Sequence, residues 1–121
     1  MIVFDASALL AFLRDEPGAG EVEESLLAGG ACGAANWAEV AQQVRGRGGQ
    51  WSPARALLLS YPLEIEPVSE EDAEVAAEMW SAGSGLSLGD CLCLALAERL
   101  DADVVTADRA WGAAGRIRQI R

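Results

Sequence analysis

Four acidic residues sit where the chain could put them to chemical use. Asp5 directly follows the apolar run Ile2-Val3-Phe4, and Ser7 stands two residues on. Asp108 follows Val104-Val105-Thr106, so a hydroxyl and an acid recur there in reverse order. Glu39 and Asp90 fall in the first turns of helices expected to start at Asn36 and Ser87. A carboxylate straight after an apolar strand is costly unless something pairs with it. In an open parallel sheet, strand ends and the helix starts beyond them share one edge, and ligands bind there. Four carboxylates gathered at that edge repel one another unless a cation is present. Carboxylates with waters suit Mg²⁺ or Mn²⁺, which prefer oxygen ligands. Two such ions, about 3.5–4 Å apart, can activate a water and stabilise the leaving oxygen of a phosphodiester. The hydroxyls of Ser7 and Thr106 would orient the carboxylates or the water from behind.

A plainer reading stands beside this one. Asp and Glu are common in first turns, where they cap N–H groups and meet the positive end of the helix dipole. Ser69 and Asp72 show the same spacing with nothing else to recommend them as a site. Taken singly, Glu39 and Asp90 read better as structural residues, and Ser7 and Thr106 as caps or turn formers. Asp5 and Asp108 at strand ends are less easily explained that way.

Composition narrows the chemistry. The chain has 121 residues, about one ordinary domain, and no repeat, linker or low-complexity segment, so one domain over 1–121 is expected. It contains no His, which removes imidazole catalysis and His-ligated zinc. All nine basic residues are Arg, so no mechanism can use a side-chain amine. The net charge of −10 argues against a general nucleic-acid coat but not against a nuclease whose acids bind metal. Three Cys without a zinc or disulfide pattern read as small core hydrophobes. No long apolar run indicates a membrane span, and the N-terminus lacks a basic leader, so the cytoplasm is the expected location.

The elements that must position the acids follow from patterning. Short strands are expected at 2–4, 31–34, 63–66 and 103–106, and a basic edge strand at 116–121. Helices are expected at 8–13 and 19–27, from N-cap Asn36 to about Arg45, and from Ser52 with Pro53 at the first helical position through Ser60. Further helices run from Ser69 to about Ala82 and from Ser87 onward, with a short turn at 109–114. The helix after Ser87 is apolar nearly all round and should be buried. Alternating strands and helices indicate an α/β layer fold with a mostly parallel sheet.

Four motifs now stand in order: Ile2-Val3-Phe4-Asp5-Ala6-Ser7-Ala8-Leu9, Asn36-Trp37-Ala38-Glu39-Val40, Leu86-Ser87-Leu88-Gly89-Asp90 and Val105-Thr106-Ala107-Asp108. Together they make the chain similar to PIN domains, and more narrowly to VapC-type toxin ribonucleases, over essentially its whole length. The resemblance implies a three-layer α/β/α fold around a short, mostly parallel sheet. It implies an Mg²⁺- or Mn²⁺-dependent endoribonuclease in which Asp5, Asp90 and Asp108 match metal-binding aspartates. Glu39 matches an acid that often acts through water, and Thr106 a position near the site. It also implies a homodimer, and a cognate antitoxin that wraps the toxin and reaches the acidic site.

An acidic chain leaves few groups to hold RNA. Arg45 and Arg47, beside the glycine-rich stretch, are expected to flank a substrate groove, with Arg109 and the 116–121 strand as further contacts. Surface solvation is the alternative for Arg45 and Arg47. Trp51 could stack on a base, whereas Trp37, Trp80 and Trp111 suit core or dimer packing. Two rival readings start from the same residues. One is a metal-dependent phosphotransfer or phosphatase domain, which normally wants a Lys and an Asp-x-Asp start, both missing here. The other is a non-catalytic PIN module that binds RNA or a protein partner.

Overall fold

The structure is a computed structural model that describes residues 1–121. Five strands form one sheet: β1 (Ile2–Phe4), β2 (Gly30–Gly33), β3 (Leu63–Glu66), β4 (Asp103–Thr106) and β5 (Ile117–Gln119). Their order is β3-β2-β1-β4-β5, and every pair is parallel. Six helices flank it: α1 (Ala6–Leu13), α2 (Ala19–Ala28), α3 (Ala34–Gly46), α4 (Trp51–Leu59), α5 (Glu70–Met79) and α6 (Leu88–Leu100). The architecture is the expected α/β/α sandwich, with a fully parallel sheet.

Strands this short and apolar bury both faces, because successive side chains point to opposite sides. Phe4 and Val105 enter a core shared with Leu9 of α1 and Val22 and Leu26 of α2. Val3 and Val104, one residue earlier, join Cys93, Leu96 and Ala97 of α6 on the other face. A smaller cluster of Ala76, Cys91 and Ala95 seals α5 onto α6. The chain proceeds outward from β1 to β2 and β3, then returns to lay β4 on the other side of β1. Beyond the carboxyl ends of β1 and β4 the connections diverge, which leaves the crevice where open α/β sheets take ligands.

Several boundaries differ from the sequence reading. Helix α1 starts two residues early because Asp5 itself is its N-cap, accepting from the Ala8 N–H at 2.8 Å. Helix α3 starts at Ala34 behind Gly33, so Asn36 lies inside the first turn and is not a cap. Helix α4 starts at Trp51, which puts Pro53 third rather than first. Proline is tolerated there because first-turn N–H groups have no intrahelical acceptor. Helix α5 ends at Met79, where Trp80 turns extended. Helix α6 is less enclosed than expected, since Leu88 is 54% exposed. Its capping box is as expected: Ser87 and Asp90 exchange hydrogen bonds with each other's backbone N–H. All three cysteines are free and buried.

Candidate active site

Asp5 is the deepest of the four acids, 4% exposed at the end of β1. Its carboxylate is met from every side by donors. Oδ1 accepts the Ala8 N–H at 2.8 Å and the Ser7 hydroxyl at 2.7 Å. Oδ2 accepts the Thr106 hydroxyl at 2.5 Å. Each hydroxyl is itself aimed by backbone: Ser7 Oγ accepts the Ala107 N–H at 2.9 Å, and Thr106 Oγ1 accepts the Asp108 N–H at 3.0 Å. The strand-end hydroxyls of β1 and β4 thus tie the two neighbouring strand ends together through one carboxylate. Burial pushes the Asp5 carboxyl up to about 6, against the pull of the Thr106, Ala8 and Ser7 hydrogen bonds, and the charge of Asp90 adds to the rise.

The other acids arrive on separate elements. Asp108 caps the short turn after β4, with Oδ1 accepting the Ala110 N–H at 2.9 Å. Asp90 uses Oδ2 in the α6 capping box. Glu39 extends from α3, and its Oε1 is held by Asn36 Nδ2 at 2.8 Å. The second proton of that amide goes to the Gly89 carbonyl of α6 at 3.2 Å. A Cβ on Gly89 would stand 3.1 Å from Glu39 Oε1, so glycine makes room for the carboxylate. Asp90 Oδ1, Asp108 Oδ2 and Glu39 Oε2 make no hydrogen bond within the protein.

Asp5, Ser7, Glu39, Asp90 and Asp108 line one cavity of about 240 Å³, together with Gln42 and Gln43 of α3. Thr106 is fully buried directly behind Asp5. The cavity therefore collects the acids that the sequence singled out. It does not bring three of them to one point as a finished coordination sphere. Arg45 and Arg47 lie outside it. Arg45 is exposed near the end of α3, and Arg47 lines a neighbouring cavity. Trp51 is not free to stack on a base, because it packs edge-on against Trp37 with ring centroids 5.0 Å apart. A larger cavity, about 490 Å³, lies away from this edge among Glu66, Glu70, Glu71 and Glu74, where Arg99 already answers Glu66 and Asp72.

A model of the PIN domain matches residues 2–117. The chain belongs to the PIN domain family. A toxin-antitoxin complex from Klebsiella pneumoniae shares the fold of this PIN domain with a TM-score of 0.78 at 19% identity, covering 100% of this chain and 98% of that one. VapC20 of Mycobacterium tuberculosis, a sarcin-ricin loop cleaving toxin, gives 0.73 at 20% identity over 95% of each chain. At these identities the likeness speaks for the fold. No curated protein matches the sequence.

The sequence reading missed three features of this PIN domain's cavity. Asn36 was assigned to the helix cap, although its amide belongs to Glu39 and Gly89. Gln42 and Gln43 went unnoticed, yet both stand on the face of Glu39, three and four residues on, which is a legible helical spacing. Gly89 reads from sequence as a neutral helix position, and only its approach to Glu39 gives it a reason.

Proposed function

We propose that this PIN domain is a metal-dependent endoribonuclease, the toxin half of a toxin–antitoxin pair, with its site in the acid-lined cavity. The observation that carries the reading is the arrival of four carboxylates on one cavity from four separate elements, with Asp5 buried among donors and no cation among its partners. Nothing about folding requires that arrangement. The residues fit Mg²⁺ or Mn²⁺: every donor is a hard oxygen, and three carboxylates keep one oxygen free. Their spacing suits an ion that retains several waters and takes only one or two carboxylates directly. Asp5, Asp90 and Asp108 would hold the metal, which, when bound, supplies an acidified water and offsets phosphodiester charge.

The chain's own groups do the rest. Ser7 and Thr106 lock the Asp5 carboxylate in one orientation. Glu39, fixed at Oε1 by Asn36, offers Oε2 to take a proton from water. The capped Asp90 and Asp108 present their free oxygens on rigid helix and turn starts. The names of the structural relatives support the assignment of toxin and of RNA as substrate. An antitoxin protein is the proposed partner, and the cytoplasm the proposed place of action. A homodimer is proposed as the working form, with the exposed Trp80 and Leu88, at the facing ends of α5 and α6, as apolar surface such a contact would cover.

The test is cleavage of a mixed single-stranded RNA pool with added Mg²⁺ or Mn²⁺, by the wild type and by Asp90→Asn. Metal-dependent cutting that falls at least about 100-fold in the variant supports the reading. Equal cutting by both proteins removes Asp90 from the site. A second reading, a non-catalytic PIN module, draws on the absence of three converging carboxylates. It takes over if the wild type binds RNA but cuts none under either metal.

A further inference from the structure

A second cavity, of about 400 Å³, opens between the end of α1, the end of α3 and the start of α4. Arg14 and Arg47 line it, with Leu13, Val44 and Leu57 as apolar wall. Four of the nine arginines, Arg99, Arg116, Arg118 and Arg121, pair with carboxylates. The other five have no carboxylate within 4.0 Å, although the chain carries 19 acids. Of those five, Arg14, Arg45, Arg47 and Arg55 cluster at the end of α1, the end of α3 and on α4. Arg14 is the most telling, since its Nη2 is buried and makes no hydrogen bond at all. A guanidinium nitrogen shut away from water without an acceptor is a costly arrangement. A carboxylate would have been easy to supply in so acidic a chain.

The two cavities are neighbours along the same helices. Leu10 and Gln43 line the acid cavity, while Leu13, Arg14 and Arg47 line the basic one, three or four residues further on. One helical turn is about 5.4 Å, so the second cavity lies one turn along α1 and α3 from the first. We propose that the Arg14–Arg47 cavity is a phosphate subsite that grips the RNA strand beside the point of cleavage, with a base laid against the Leu13, Val44 and Leu57 wall. The proposal rests on the nuclease reading and extends it to the part of the substrate that is not cut. It explains how a chain of net charge −10 holds a polyanion: the cations that are free to do so lie together, next to the acids. It also adds Arg14, which sequence spacing gave no reason to choose, and leaves Arg45 outside the subsite.

The experiment is anisotropy of a fluorescein-labelled single-stranded RNA 12-mer over a salt series, with Ca²⁺ in place of Mg²⁺ and the RNA recovered intact afterwards. Wild type, the Arg14→Gln/Arg47→Gln double variant and the control Arg116→Gln are compared. Two lost phosphate contacts should flatten the slope of log affinity against log salt by about 1.4 and weaken binding roughly tenfold at moderate salt. Arg116→Gln should leave both unchanged. Hydrogen exchange of the wild type with and without the RNA gives a readout that needs no variant, and protection is expected at 13–15 and 44–54. A double variant with the wild-type salt slope, or protection that spares both segments, overturns the proposal. So does loss of binding to a labelled decaglutamate peptide with RNA binding intact, which would make the cavity a seat for an acidic protein segment. Wild-type RNA cleavage with an unchanged slope would sink the subsite alone. A flattened slope without any cleavage would keep the subsite and sink the nuclease.

Discussion

Replacing Asp5 by Asn tests the electrostatics of the site without any substrate. The carboxyl stands at about 6 in the folded chain, against an ordinary value of 3.8, chiefly because burial disfavours its charge. Each pKa unit corresponds to about 1.4 kcal/mol, so the ionised group costs the fold roughly 3 kcal/mol in metal-free solution. That cost is fully present above the folded pKa, where Asp5 is charged in both states. It fades as pH falls towards 4, where the folded chain already holds the proton, and vanishes once both states are protonated. Asn keeps the shape and lacks the charge. Its oxygen can still accept the Ala8 N–H, while its amide meets Thr106 and Ser7 less well than a carboxylate does. That mismatch costs about 1 kcal/mol at any pH. Asp5→Asn should therefore stabilise the metal-free protein by roughly 1–2 kcal/mol at pH 8 and destabilise it slightly at pH 4. Urea unfolding at intervals from pH 4 to 8, in EDTA, measures the difference. Saturating Mg²⁺ should then stabilise the wild type and leave the variant unmoved, because binding to the folded state alone raises stability. A stability difference that stays flat across that pH range would refute the burial argument, and a variant less stable at pH 8 would refute its sign.

Other perturbations separate positioning from folding. Gly89→Ala should leave thermal stability unchanged or slightly higher, since alanine favours helix, yet lower RNA cleavage as its Cβ crowds Glu39 Oε1; equal cleavage would remove the need for glycine there. Asn36→Ala should cost about 1–3 kcal/mol in urea unfolding, by leaving the Gly89 carbonyl and Glu39 without their shared donor, and should lower kcat more than it raises KM. At Asp72, burial pushes the carboxyl up, but the hydrogen bonds from Arg99 and Ser69 outweigh it and hold the group below its usual range. Arg99→Ala should therefore cost roughly 1 kcal/mol above about pH 4, with the loss fading as Asp72 protonates at lower pH and cleavage unaffected throughout.

What the sequence disclosed was what is encoded locally. Val3-Phe4 and Val104-Val105 announce strands buried on both faces because no polar residue interrupts them. The Ser69 and Ser87 caps could be read because both partners of each box lie within three residues. The four acids could be found because strand ends and helix starts converge in any parallel sheet. Asn36 shows where such reading stops. Ala34 and Ala35 let the helix begin behind Gly33, and the carbonyl that claims the Asn36 amide belongs to Gly89, 53 residues away. Trp51 offered itself to a base until Trp37 came to meet it from α3. The isolation of Arg14 is a property of the assembled charges around it and has no local signature. Whether carboxylates that share a cavity also share an ion is set by distances of an ångström, which only a bound metal can fix.

Binding of Mn²⁺, followed by electron paramagnetic resonance of the free ion, addresses the central claim most directly. Wild type should bind one or two ions per chain, and Asp5→Asn and Asp90→Asn should each weaken that binding at least about tenfold while remaining folded. Wild type that leaves millimolar Mn²⁺ free, or variants that bind it as the wild type does, would contradict the account.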